Sequence, residues 1–191
     1  MGSVATEEQD SAFMPLAIAE ARKAELLDEV PIGAVVVRNG EVIAAAYNRR
    51  ETDADPAGHA EFLAMKQASN KLGVWRLSGC TVYVTLEPCI MCAGLMHQAR
   101  IDRCVFGAFD PKAGALGSLY QVNADERLNH VFEVSSGVCE EECALLLKTF
   151  FREKRKRNKA RKAAARAEEA ALAAAETEQE NKESNQDGAS A

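Results

Sequence analysis

Apolar residues at Phe13, Leu16, Ala17, Ala21 and Ala24 recur at helical spacing and predict a first helix over about 11–27, with Pro15 tolerable only near its first turn. The period then changes. IGAVVV (32–37) and VIAAAY (42–47) are two apolar runs joined by Arg38-Asn39-Gly40-Glu41, and an Asn-Gly pair between such runs is a strong hairpin signal. HAEFLAMKQASNKL (59–72) is helical in composition and stops at Gly73, which suits a left-handed C-cap. CTVYVTL (80–86) reads as a third strand, and Pro88 opens a helix over CIMCAGLMHQAR (89–100), at a position where its missing N–H costs little. RCVFGAF (103–109) is a fourth strand, and the Gly-containing DPKAGALGS (110–118) is a loop. HVFEVSSGV (130–138) reads as the last strand and CEEECALLLKTFFREKRK (139–156) as a closing helix.

Strands three to five are separated by helices and should run parallel, with the hairpin at one side. This predicts a five-stranded mixed sheet with helices on both faces, a three-layer α/β/α domain over residues 1–157. An Ala-, Glu-, Lys- and Arg-rich tail, helical or disordered, covers 158–191. A chain of 191 residues with 47% hydrophobic residues can bury one sizeable core. The first residues lack the basic start and apolar run of a secretory signal, and no stretch approaches the ~20 apolar residues of a membrane span. A cytoplasmic protein with no membrane contact is expected, so Cys80, Cys89, Cys92, Cys104, Cys139 and Cys143 are not read as a disulfide framework.

The net charge of −6 conceals a segregation: residues 1–151 carry −8, residues 152–166 carry +8 and residues 167–191 carry −6. An acidic body with one basic block confines any polyanion contact to that end; the same composition also suits a solvated helical extension.

Cys89 and Cys92 stand three positions apart in EPCIMC (87–92). Such a pair can be a redox dithiol, half of a structural zinc site, or part of a catalytic metal site with three protein ligands. His59 begins the second helix as Cys89 begins the third. Helices that follow strands of an α/β sheet start at the same edge, where ligands bind. A catalytic metal would also give Glu61 a task, because a water activated for attack needs a carboxylate to take its proton. His59 and Glu61 are two residues apart, so they converge only if the first turn is irregular. A structural zinc would need a fourth ligand, with His97, Cys104 or Cys80 as candidates.

His59-Ala60-Glu61 and Pro88-Cys89-Ile90-Met91-Cys92 together form the H-x-E…P-C-x-x-C signature of zinc nucleobase deaminases. The chain resembles the cytidine and deoxycytidylate deaminase superfamily. Within it, VPIGAVVV (30–37), YNR (47–49), TLEPCIMCAG (85–94), VFGAFDPKAGALGS (105–118) and the FFR run (150–152) resemble the bacterial tRNA-specific adenosine deaminases, over about residues 10–157. The resemblance implies a cytidine-deaminase-like fold, one Zn2+ per subunit held by His59, Cys89 and Cys92, and Glu61 as proton shuttle. It also implies Asn48 at the base or ribose, Ala60 and the Glu87-Pro88 turn lining the pocket, and Asp110 facing the nucleotide before the target. Phe150, Phe151 and Arg152 would lie against the RNA. The implied reaction converts adenosine to inosine at the wobble position of a tRNA anticodon stem-loop, in a homodimer. A deaminase of free nucleosides, bases or nucleotides is the alternative that keeps the zinc chemistry, and a structural-zinc RNA-binding module is the non-enzymatic one.

Overall fold

The computed structural model describes residues 7–187. Ten elements follow one another: α1 (Glu7–Leu26), β1 (Gly33–Arg38), β2 (Glu41–Tyr47), α2 (Ala60–Leu72), β3 (Cys80–Leu86), α3 (Ile90–Ala99), β4 (Arg103–Ala108), a short 3₁₀ turn (Val122–Ala124), β5 (Glu133–Ser135) and α4 (Glu140–Asp187). The five strands form one sheet in the order β2-β1-β3-β4-β5, mixed as expected. β1 pairs antiparallel with both β2 and β3, whereas β3, β4 and β5 are parallel. The hairpin turns at Asn39 and Gly40, both at positive φ, the geometry an Asn-Gly pair adopts at low cost.

Side chains alternate across this sheet and separate two apolar layers. Val35, Val37, Tyr83 and Val105 face Met14, Ala17 and Ile18 of α1 together with Cys143 and Leu147 at the start of α4. Val36, Val82, Val84, Cys104 and Phe106 face Ala60, Ala64, Met65 and Ala68 of α2 and Ala93 and Met96 of α3. The central strands therefore read as continuous apolar runs, because neither face meets water. Gly33 lets α1 approach: a Cβ there would lie 2.1 Å from the Ala17 carbonyl oxygen.

Two local expectations are corrected. Helix α1 begins at Glu7, so Pro15 lies inside it rather than near its first turn. The lost backbone hydrogen bond is offset by packing on either side, where Met14 and Ala17 are fully buried. The last strand covers only Glu133–Ser135 of the nine residues expected, because pairing with β4 extends only over Arg103–Val105. Helix α4 runs past Lys156 to Asp187, so up to that residue the tail takes the helical of its two expected forms. By compactness the chain divides into a unit ending at Phe150 and a second unit from Phe151 onward.

One buried ion pair ties α1 to the sheet. Arg103 of β4 donates from Nη1 and Nη2 to the two carboxylate oxygens of Asp10 at 2.7 and 2.6 Å, and Tyr83 Oη donates to the same carboxylate at 3.1 Å. Ser135 Oγ accepts from Arg103 Nη2 at 2.5 Å. The hydrogen bonds from Arg103 to Asp10 raise the guanidinium above its ordinary pKa against the opposing effect of burial. Asp10→Ala should cost about 3–5 kcal/mol in urea unfolding, since it strands a buried cation; a change under about 1 kcal/mol would mean that water reaches Arg103.

Candidate active site

His59 is the residue before α2, with extended backbone at φ −78° and ψ 145°, and Ala60 is the first helical residue. This irregular start removes the objection that residues two apart on a helix diverge. His59 and Glu61 can serve one site because only Glu61 is in the helix. Cys89 occupies the equivalent place before α3, at φ −72° and ψ 172°, and Cys92 lies in the first turn. Neither His59 nor Cys89 uses its side chain to cap its helix. Two helix N-termini, each with a positive dipole end, thus face one cluster, an environment that favours thiolate.

Within the cluster His59 Nδ1 lies 3.6 Å from Cys89 Sγ and 3.6 Å from Cys92 Sγ. All three donor atoms fall within 4.8 Å of one another, and no other such group of His, Cys, Asp or Glu occurs among the described residues. The spacing suits a metal ion. Tetrahedral zinc, with Zn–S of about 2.3 Å and Zn–N of about 2.0–2.1 Å, places a nitrogen and a sulfur ligand about 3.6 Å apart. The donor set fits zinc, and it supplies three ligands rather than four. His97, one candidate for a fourth, is engaged elsewhere: its Nδ1 meets the His130 carbonyl oxygen at 3.0 Å. Cys104 and Cys80 are buried in the apolar layer between the sheet, α2 and α3.

The two thiols of the cluster are shifted in opposite directions. A hydrogen bond from the Cys92 thiol pulls Cys89 down to about 3 against burial, helped by His59. Cys92 moves the other way, raised by donating that hydrogen bond and by burial. Glu61 is 4% exposed, and loss of water pushes its carboxyl above the ordinary value, against the pull of its backbone hydrogen bond and the His59 charge. A carboxyl raised in this way is suited to both taking and giving a proton.

The outer residues fall into three sets. Ala60 and Asn48 are buried beside the cluster's supporting loops, and Asn48 Nδ2 donates to Glu29 Oε2 at 3.0 Å. Glu29, fully buried, also accepts from the Thr52 N–H at 2.6 Å. It fixes which way the Asn48 amide points, leaving Oδ1 as the acceptor. Sequence reading missed Glu29, which lies 19 residues from Asn48 in a segment without motif character.

The Glu87 carboxylate holds the 110–118 loop: it accepts from the N–H groups of Asp110 at 3.0 Å, Leu116 at 3.1 Å and Ser118 at 2.9 Å, and from the Ser118 hydroxyl. These donors outweigh burial and hold Glu87 below the ordinary carboxylate range. The adjoining Pro88 carbonyl accepts from Ala115 N–H at 2.9 Å, and Cys89 bridges Gly114. The residues flanking Cys89 thus carry a whole loop. Asp110 caps its own turn, with Oδ1 accepting from Lys112 and Ala113 N–H at 2.9 and 3.2 Å.

Gly114 is the close approach in this arrangement, because a Cβ there would lie 2.3 Å from the Glu87 carboxylate. Four hydrogen bonds prevent that carboxylate from moving aside. Gly114→Ala should therefore destabilise the domain by about 1–3 kcal/mol and loosen the loop. Thermal unfolding with amide exchange over 110–118 checks this, and unchanged protection would contradict it.

Phe150 is also corrected: at 4% exposure it has no ring face to offer a ligand and belongs to the body's interior. Its neighbour Phe151 is 42% exposed, and the exposed Arg152 pairs with Glu153 at 3.1 Å.

Comparison with known proteins agrees with this geometry. The MafB19-like deaminase family matches residues 8–156. A tRNA-specific adenosine deaminase of Bacillus subtilis (strain 168) is 56% identical over 149 residues, covering 78% of this chain and 92% of that protein. One from Streptococcus pyogenes serotype M1 is 43% identical over 150 residues, covering 78% and 88%. A structure solved in a study of A-to-I editing by tRNA:A34 deaminases at the wobble position of transfer RNA superposes with a TM-score of 0.70 at 46% identity, over 72% of this chain and 99% of that one. The chain belongs to the MafB19-like deaminase family and, within it, to the tRNA-specific adenosine deaminases.

Proposed function

We propose that the chain deaminates adenosine hydrolytically at the wobble position of a tRNA anticodon, giving inosine and ammonia. The observation that carries this reading is the three-donor cluster of His59, Cys89 and Cys92 with the buried Glu61 beside it, in a chain 56% identical to a tRNA-specific adenosine deaminase. His59, Cys89 and Cys92 would hold one zinc ion per subunit. Bound there, zinc would act as a Lewis acid that makes water nucleophilic at neutral pH.

The remaining work falls to the chain. Glu61 takes a proton from the attacking water and delivers it to N1 of the adenine, while the water oxygen bonds to C6. The second proton passes through Glu61 to N6, the C6–N6 bond breaks and ammonia leaves, which returns the carboxylate to its starting state. Asn48, oriented by Glu29, offers its amide oxygen to a donor on the base edge or ribose. Ala60 and Pro88 supply walls. Asp110, Phe151 and Arg152 would contact flanking nucleotides, in loops splayed as single-stranded RNA recognition requires. A homodimer and a cytoplasmic setting belong to the same reading through family membership. No helix among the described residues is long and apolar enough to cross a membrane.

Ammonia release from parallel incubations tests the substrate class. The zinc-loaded protein should release ammonia from an anticodon stem-loop bearing a wobble adenosine, and not from free adenosine, cytidine or guanine. Release from a free base or nucleoside with the stem-loop inert would keep the chemistry and overturn the RNA assignment.

A further inference from the structure

The end of the family match at residue 156 falls within the strongest charge feature of the molecule. Residues 152–166 hold nine Lys and Arg against one acid, while the body up to residue 151 carries −8. Such a body repels a polyanion unless cations are concentrated somewhere. Helix α4 continues unbroken through this block. At 3.6 residues per turn, Arg152, Arg155, Lys156, Lys159, Lys162 and Arg166 fall within an arc of about 120°, and Lys154, Arg157 and Arg161 fall opposite. The block is therefore a stripe rather than an even coat.

Within the stripe Arg152 and Lys156 share Glu153, whereas Arg155, Lys159, Lys162 and Arg166 make no salt bridge among the described residues. These four line one face and are exposed. They extend over about 16 Å of helix, long enough to follow several successive phosphates.

We infer that the α4 face formed by Arg155, Lys159, Lys162 and Arg166 binds the phosphate backbone of the RNA substrate, an inference that rests on the tRNA reading above. Charge complementarity names the partner class. An anionic membrane would share the charge, but a helix that lies on a bilayer needs large apolar residues on its other face. Residues 152–171 contain none: their only apolar side chains are alanines. The stripe therefore suits a ligand that is all phosphate on its outside. Its role is sequence-independent affinity, because lysine and arginine contacts to phosphate position an RNA without reading its bases.

The test compares two triple variants of the full chain that remove equal charge. Lys159→Gln, Lys162→Gln and Arg166→Gln remove three of the four proposed cations of the stripe; Lys154→Gln, Arg157→Gln and Arg161→Gln empty the opposite arc. Affinity for a tRNA transcript is measured from about 50 to 200 mM salt, with helix content checked by circular dichroism and binding to phosphatidylserine vesicles as a second arm. The stripe variant should lower the slope of log affinity against log salt by about 2–3 and weaken binding several-tens-fold at the low-salt end; the opposite variant should change the slope by less than about 1. Equal slopes for the two variants, or an unchanged slope in both, would overturn the stripe, as would loss of vesicle binding without loss of RNA binding. Deamination of the stem-loop is followed in the same samples. Its absence in the unmodified chain would count against the proposed reaction, while the slope comparison still decides the stripe.

Discussion

Glu61→Gln is expected to lower turnover of a wobble-adenosine stem-loop by about 10²–10⁴-fold while zinc stays at one per subunit. Glutamine keeps the volume and the hydrogen-bonding shape of glutamate but cannot carry a proton from water to base. The position makes this a clean test. Glu61 is 4% exposed and lies in the first turn of α2, so the substitution removes a buried acid without opening a cavity. Its raised pKa comes first from desolvation, which the neutral amide does not suffer, and the variant should fold at least as stably as the parent. A loss of activity in a stable, zinc-replete protein then reports proton transfer alone. Full turnover would assign the shuttle to another group.

Cys89→Ala should abolish zinc retention and activity together. With three protein ligands, removing one leaves two, and the loss of affinity should exceed the 10–100-fold typical of losing an outer hydrogen-bond partner of a ligand. The helix should survive, since Cys89 makes no side-chain cap to α3. Metal content by elemental analysis, with circular dichroism as the fold control, checks this. Stoichiometric zinc in the variant would require a different ligand set.

The elements that depend on neighbouring residues were legible from sequence. The Asn39-Gly40 turn, the Gly73 C-cap and the starts of α2 and α3 are local events, and the period-two and period-3.6 patterns on either side place them. The cluster was legible because His59 and Cys89 both mark helix starts at the same sheet edge. Contacts between distant segments were not legible. Glu87 meets Ser118 across 31 residues and Glu29 meets Asn48 across 19, and no spacing rule connects them. The task of the Glu87 carboxylate was hidden because the N–H groups it satisfies lie in a loop more than twenty residues further along the chain. Phe150 was misassigned for a related reason: in an FFR run the two rings point about 100° apart on a helix, and sequence alone does not say which one the body covers. Pro15 shows the opposite limit, where packing of α1 on the sheet overrides a local helix-breaking preference.

Hydrolytic deamination at the wobble position is tested most directly by mass analysis of the nucleosides from an anticodon stem-loop treated with the zinc-loaded protein in ¹⁸O-labelled water. Inosine should form from the wobble adenosine alone and carry the heavy oxygen at C6. Unchanged adenosine at that position, or inosine without the label, would contradict it.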